Sequence, residues 1–504
     1  MLRSFYAFLP ECLIVLIVCT FLLKDFKSNN LKLYIALILF VPLTFLNFTP
    51  SLHGPHFCSM MVLDRLSLLA KDVLLSFGLV WCATPPLSPP RTAGAQGHLK
   101  GLSGFMGVIS RKILSVPLVP RFRGDDGKGC GDEGKGCGDD KERHDREINK
   151  IQHNEQTILF LLSLLGACCL VSSNHMLTAY LSLELHVLPL IALIALQKEA
   201  PFAMEASIKY FVLSIVASIF ILYGAGLFYG ATGALGFEEI LSFKHAESLL
   251  FQAGSLFVLS GLLFKLAVFP FHGWAPDVYE GSTHQQVAFI ATVSKIAVFF
   301  LLLRLRPLSF LDILPWVAVI SILFGAFMAL RQQNLRRLLA YSGISQMGFV
   351  LLGYALKTNV GIISSVIYLG VYALALTGLF LSLKNIETLE DLKGLFHKNP
   401  VLAFLVAIMI LSFAGIPPIA GFWVKFHILL ETVHQGYIYP AILALIGAAL
   451  SLAYYLNILR MIFFEKGEGT LVVSRKAPLI GIALFLIFFL LLQTPITVMV
   501  SKCL

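Results

Sequence analysis

Charged residues are few in this chain, and four of them stand where charge is costly. Lys265 interrupts the apolar string Leu262-Leu263-Phe264-Lys265-Leu266-Ala267-Val268-Phe269-Pro270. Glu184 lies within Tyr180-Leu181-Ser182-Leu183-Glu184-Leu185-His186-Val187-Leu188-Pro189, and Lys295 within Thr292-Val293-Ser294-Lys295-Ile296-Ala297. Lys425 follows the helix-breaking pair Pro417-Pro418. A charge at the centre of a bilayer costs several kcal/mol or more, so such residues commonly mark an ion or proton path. Desolvation disfavours the charged form of an amine, and a nearby carboxylate favours it. At ~6 Å and an effective dielectric of ~20, one unit charge contributes roughly 3 kcal/mol, which moves a pKa by about two. A carboxylate that moves or is neutralised therefore switches an amine between holding and releasing its proton, with no cofactor required. Lysine suits that task better than arginine, which does not deprotonate. The competing use of an acid and a lysine is a salt bridge that locks two helices together. Three lysines against one acid leave surplus charge that such a lock does not need.

Other residues support this line. His272 follows Pro270, where water is plausible, and either relays protons or packs at the break. His186 is two positions from Glu184 and so points elsewhere on a helix, which favours a packed histidine. Glu205 and Lys209 are one helical turn apart, either as a stabilising pair or as a charge link to a neighbouring subunit. Asp277 stands in Trp274-Ala275-Pro276-Asp277, just past the break. The sequence shows no Cys cluster for iron–sulfur, no nucleotide-binding glycine turn after a strand and no histidine pair suited to haem. Cofactor and metal sites are therefore expected to be none in this chain, and Cys168-Cys169 read as small buried apolar residues.

The elements that hold these residues must be membrane helices. Of 504 residues, 57% are hydrophobic and 13% charged, with mean hydropathy +0.82; a soluble domain is nearer a quarter charged. The net charge of +9 is scattered through loops, which excludes a nucleic-acid face and leaves the lipid bilayer as the surroundings. Apolar runs of roughly 17–25 residues recur about fourteen times, near 5–23, 32–47, 63–82, 157–173, 175–197, 206–230, 250–271, 286–303, 313–330, 335–356, 361–383, 400–431, 439–463 and 476–499. The first is read as a retained span, because Asp25-Phe26-Lys27 follows it in place of a small-residue cleavage site. Lys and Arg gather in alternate loops, which places both termini on the outer side.

Two spans are interrupted. The seventh meets Pro270, and the twelfth contains Gly415-Ile416-Pro417-Pro418-Ile419-Ala420-Gly421; proline removes a ladder donor and clashes with the preceding turn. The breaks lie five spans apart, and an odd number of spans per unit forces opposite topologies. That is the inverted-repeat pattern of transporters. The fold class expected is all-α and polytopic, with about 14 transmembrane helices, two inverted five-helix repeats and broken helices 7 and 12. The domains expected are 1–82 with three helices, an insertion at 83–150, repeats at 151–306 and 307–465, and a last helix in 466–504. The insertion begins Pro85-Pro86-Leu87-Ser88-Pro89-Pro90 and holds a tandem heptapeptide, Gly127-Lys128-Gly129-Cys130-Gly131-Asp132-Glu133 then Gly134-Lys135-Gly136-Cys137-Gly138-Asp139-Asp140. It lacks the Walker spacing and reads as a disordered cytoplasmic segment.

The string from Lys265 to Gly281, Lys-Leu-Ala-Val-Phe-Pro-Phe-His-Gly-Trp-Ala-Pro-Asp-Val-Tyr-Glu-Gly, resembles the antiporter-like membrane subunits of respiratory complex I. It is most similar to the subunit N, or mitochondrial subunit 2, branch. Supporting strings are Leu183-Glu184-Leu185, Ala206-Ser207-Ile208-Lys209-Tyr210-Phe211, Asn334-Leu335-Arg336-Arg337-Leu338-Leu339-Ala340-Tyr341-Ser342 and Gly415-Ile416-Pro417-Pro418 with Lys425-Phe426. The resemblance covers about residues 60–465 without the insertion. It implies a fourteen-helix fold in which Glu184 and Lys265 form a coupled pair and Lys295 and Lys425 continue a proton path. It also implies that flavin, iron–sulfur clusters and quinone sit in partner subunits, both membrane and peripheral. The family commonly has a histidine near the position of Gln346, and the segment 83–150 has no counterpart in it.

The function expected is proton translocation within an NADH:quinone oxidoreductase, in a bacterial inner membrane or alternatively a mitochondrial one. The alternatives are a subunit of a multisubunit cation/proton antiporter, a non-pumping scaffold subunit and a small-solute transporter. Limited proteolysis is expected to cut first within 83–150 and leave the membrane core whole; a gel time course checks this, and an insertion as resistant as the core contradicts it.

Overall fold

The computed structural model describes single residues and short stretches between 54 and 75, then 155–197, 202–243, 248–306, 313–383, 386–467 and 477–503. The described residues belong to the compact unit Met1–Pro85 with Asn154–Leu504. The expected spans near 5–23 and 32–47, most of the span at 63–82, and the insertion at 83–150 lie outside the described residues.

Helix dominates. One short antiparallel hairpin, β1 (Gly54–His56) with β2 (Met61–Leu63), pairs Gly54 with Leu63 and His56 with Met61. Thereafter come α1 (Glu155–Ser172), α2 (Met176–Ala195), α3 (Ala203–Thr232), α4 (Leu249–Leu266) and the short α5 (Trp274–Gly281). Next are α6 (His284–Arg304), α7 (Leu314–Ala329), α8 (Leu335–Ala355) and α9 (Asn359–Ser382). The last four are α10 (Pro400–Ala414), α11 (Ala420–His434), α12 (Ile438–Phe463) and α13 (Ala477–Cys503). Eight of them, α1–α4, α6, α8, α9 and α12, are long and apolar enough to cross a membrane. Among the described residues the chain is an all-helical membrane protein apart from that hairpin.

Side chains in the connecting turns set where helices begin. Asn334 accepts from the backbone of Arg336 and Arg337 at the start of α8, and Asn399 caps α10 ahead of Pro400. Thr283 and Gln286 form a reciprocal capping box at the start of α6. Each cap occupies donors that the first helical turn leaves without partners. Two backbone bridges recur in similar places: His175 pairs with Gly236, and Asn334 with Thr388. The first ties the start of α2 to the turn after α3, and the second ties the start of α8 to the loop after α9.

Burial separates central helices from peripheral ones. The apolar window is wholly buried in α6 and α8, but only 39% buried in α3 and 33% in α12. A bundle in lipid leaves its outer helices apolar on the exposed face too, because no water is there to favour polar side chains. Thus Phe211, Val212, Ile219, Leu222 and Tyr223 of α3 are exposed. Neighbouring helices pack α3 against α4 and α2, α7 against α8 and α12, and α9 against α8, α11 and α13.

The two broken spans end before their prolines. Helix α4 stops at Leu266 with Ala267 in the left-handed region at φ 58°, three residues ahead of Pro270. Helix α10 stops at Ala414 with Gly415 at φ 73°, ahead of Pro417. The residue before a proline is pushed out of the helical region, and a left-handed cap ends the ladder earlier still. Helix α11 then returns so close to α10 that a Cβ on Gly421 would collide with the Ser412 backbone. Gly421→Val is expected to cost about 1–3 kcal/mol or more through this overlap, read as a lower thermal unfolding midpoint in detergent; an unchanged midpoint contradicts the packing.

Candidate functional site

The sequence-predicted lysines are all buried, at 4% exposure for Lys265, 1% for Lys295 and 5% for Lys425. Each is held by a neutral group. Lys265, in the last turn of α4, donates to Ser214 Oγ of α3 at 2.5 Å. Lys295 follows a π-helical turn, Ile290–Ser294, and donates to the Tyr372 hydroxyl of α9 at 3.5 Å, with its amine 5.4 Å from the Tyr372 ring centroid. Single π turns recur at functional sites because they displace a side chain from the regular helical register. Lys425 donates to the Phe413 carbonyl at 2.6 Å and lies over the rings of Phe349 and Tyr368. Phe413 is in the last turn of α10, where carbonyls have no partner further along the helix.

Glu184 does not close an ion pair with Lys265. It acts on Lys265 and Tyr210 electrostatically, yet its Oε1 is buried without a hydrogen-bond partner. His186 is committed elsewhere: fully buried, it is 2.7 Å from Ser294 Oγ through Nε2, and its Nδ1 is 2.9 Å from the Ser163 carbonyl oxygen. His272 stands at the break, stacked on Phe269 at 5.5 Å and tilted against Phe324; it is not brought to any of the three lysines.

The supporting charges form a separate cluster. Lys209 of α3 bridges Glu205 and Asp277, each at 2.8 Å. Arg337 of α8 bridges Asp277 at 2.8 Å and Glu280 at 2.7 Å. Asp277 and Glu280 are one turn apart on α5, so this short helix clamps α3 to α8. Trp274 seats it by stacking on Tyr210 at 4.8 Å and donating to the Phe264 carbonyl at 2.9 Å. Burial pushes the Asp277 carboxyl up, but Lys209 and Arg337 outweigh burial and hold it below the usual carboxylate range.

Two spans are thus broken inside an apolar bundle, with Lys265 in the last turn before one break and Lys425 bonded to the Phe413 carbonyl at the other. The transmembrane family described as NADH:quinone oxidoreductase/Mrp antiporter matches residues 173–451, more than half of the chain. The chain belongs to this family. Among its relatives, NADH-quinone oxidoreductase subunit N of Wolbachia sp. subsp. Brugia malayi is 39% identical over 65% of this chain and 76% of that one. The subunit N of Nitrosomonas europaea is 41% identical over 62% of this chain and 68% of that protein. A chain of respiratory complex I from Thermus thermophilus superposes with TM-score 0.75 at 27% identity, covering 97% of this chain and 98% of the other.

In this member of the NADH:quinone oxidoreductase/Mrp antiporter family, several site residues were not singled out from sequence. Ser214 and Tyr372 are neutral polar residues that any helix tolerates, so only their partners reveal them; Gln346 stood out only as a departure from the family's usual histidine. Lys71 is buried at 1% exposure; its signal was available, since it stands inside the apolar run at 63–82. With its folded pKa depressed, Asp277 contributes stability above its unfolded value of about 3.9, and this is lost as pH falls through the lower folded value. Asp277→Asn should lower the unfolding midpoint near neutrality and flatten its decline in acid below about pH 4; an acid limb identical to that of the unaltered chain contradicts it.

Proposed function

We propose that the chain is a subunit N–type membrane subunit of an NADH:quinone oxidoreductase, and that it carries protons along Glu184, Lys265, Lys295 and Lys425. The observation that carries this reading is how the three amines are held. A structural lock would pair each with a carboxylate, whereas their polar partners are a serine, a tyrosine and a backbone carbonyl. A hydrogen bond to a charged group is worth about 1.5–3 kcal/mol, below the several kcal/mol that burying an ammonium costs. Amines held this weakly suit transfer rather than anchorage. Glu184, near Lys265 but unpaired at Oε1, is the movable charge that biases the first amine.

A fourteen-helix chain with two inverted five-helix repeats accounts for paired features five spans apart. These are the left-handed caps at Ala267 and Gly415 and the bridges His175–Gly236 and Asn334–Thr388. Flavin, iron–sulfur clusters and quinone belong to partner subunits, membrane and peripheral, and the membrane is a bacterial plasma membrane, as the relatives' sources favour. A second reading, a subunit of a multisubunit cation/proton antiporter, is favoured by the breadth of the matched family.

Lys265→Ala in the whole complex should lower NADH-driven proton uptake into vesicles roughly tenfold, a barrier change of about 1.4 kcal/mol. Reduction of an artificial acceptor by NADH should persist, which shows the complex is assembled. Uptake that survives the substitution supports a scaffold role. Sodium or potassium gradients discharged by vesicles that lack the NADH dehydrogenase support the antiporter reading.

A further inference from the structure

Between the Lys295 and Lys425 positions lies a buried polar network that no ionisable acid or histidine enters among its described members. Gln346 of α8 is its centre, fully buried at 0% exposure. Its Nε2 donates to the Phe413 carbonyl at 3.2 Å and to the Tyr455 hydroxyl at 3.1 Å. Its Oε1 accepts from the Tyr368 hydroxyl, and Tyr455 bonds Ser342, one turn before Gln346. The orientation of the amide is forced. A carbonyl only accepts, so the Phe413 oxygen must meet the nitrogen of Gln346 and not its oxygen. Both donors of the amide and one of its oxygen's two lone pairs are then committed, which holds the side chain in this orientation.

The network touches both amines. Phe413 O accepts from Gln346 and from Lys425, which fills its two lone pairs. On the other side, Tyr372 bonds Lys295 and sets its ring 5.7 Å from Phe413, which stacks at 6.0 Å on Tyr455. Gly343, beside Ser342, leaves the space that the Lys295 amine and the Tyr372 hydroxyl occupy.

We propose that Gln346 is a positioning residue for Lys425, sharing the Phe413 carbonyl with it so that the amine can leave and return while the carbonyl stays partnered. The inference rests on the proton-path reading above. If Gln346 were absent, departure of Lys425 would orphan a buried carbonyl at the helix break, and the amine would be pinned there. Tyr368 and Tyr455 fix the amide, so they act through Gln346 and not on the proton itself. An amide does not ionise at neutral pH and so is no acid or base for relay; the step between the two lysines passes over hydroxyls or water and not through Gln346.

The test uses the whole complex in vesicles, with proton uptake driven by NADH and followed across pH, and acceptor reduction as the measure of assembly. Gln346→Met keeps the volume but removes the amide. It should lower uptake roughly fivefold or more and shift the pH midpoint of uptake by about half a unit. Gln346→His retains one donor and one acceptor and should restore uptake to within about twofold. Tyr368→Phe, which removes one hydroxyl from a preserved ring, should repeat the loss in weaker form and carries the test if Gln346→Met does not assemble. Uptake and pH profile unchanged in Gln346→Met or, failing that, in Tyr368→Phe overturn the proposal. So does a loss of the same proportion at every pH, which marks a merely structural role. Lys265→Ala, run alongside, separates the two readings: if it too leaves uptake intact, the proton path itself falls, and if it abolishes uptake, only the role of Gln346 does.

Discussion

Interrupting a helix inside an apolar bundle leaves backbone carbonyls without donors, and everything near the site follows from supplying them. In water such carbonyls would be hydrated, but in hydrocarbon each one left alone costs several kcal/mol. At the first break, Ala267 N and Trp274 Nε1 serve the Phe264 carbonyl, and Val268 N serves Leu263. At the second, Gly415 N serves Leu411 and Ser412, while Phe413 is left for side chains. Lys425 and Gln346 fill it. The buried cation is therefore tolerated partly because the break creates an acceptor, whose partial negative charge at a helix C-terminus favours it.

The ionisable residues were legible because they contradict their surroundings. A lysine or glutamate amid leucines cannot be explained by helix propensity, so Glu184, Lys265, Lys295 and Lys425 announced themselves. The prolines marked the interruptions, but not where the helices end. Leu266 and Ala414 are ordinary helix residues, and only the conformation of Ala267 and Gly415 shows that the ladder has already stopped. The hairpin of Gly54–His56 with Met61–Leu63 was missed because three-residue strands carry almost no alternation. Gln346 was visible only as a departure from the family's usual histidine. Its partners come from α9, α10 and α12, and no local pattern encodes a meeting of residues that distant in sequence.

The segment Trp274 to Gly281 forms an ion-pair clamp separate from the three buried lysines. Asp277 and Glu280 grip Lys209 and Arg337, and Trp274 docks on Tyr210. Half-exposed ion pairs of this kind are each worth about 0–1 kcal/mol, so their value lies in geometry more than in stability. They fix α5 against α3 and α8, and Trp274 ties α5 to the end of α4, one residue from Lys265. Since Lys265 bonds Ser214 of α3, the clamp sets the spacing of the two helices that hold the amine.

Arginine and lysine occupy different places in the bundle. Arg304, Arg306, Arg336 and Arg337 stand at helix ends, bonding carbonyls such as Val171 and Ser282 or carboxylates such as Glu280. Lysines 265, 295 and 425 stand deep in the bundle. A guanidinium keeps its proton under all ordinary conditions and offers a rigid fork of donors, which is what anchorage needs. An ammonium is a single point of charge on a flexible stem that can give its proton up. A guanidinium placed inside would bury a charge that cannot be shed, and all of its donors would need partners there. Lysine serves at the rim as well, where Lys209 grips Glu205 and Asp277; the contrast lies in the interior, where the buried basic side chains among the described residues, histidine aside, are all lysines.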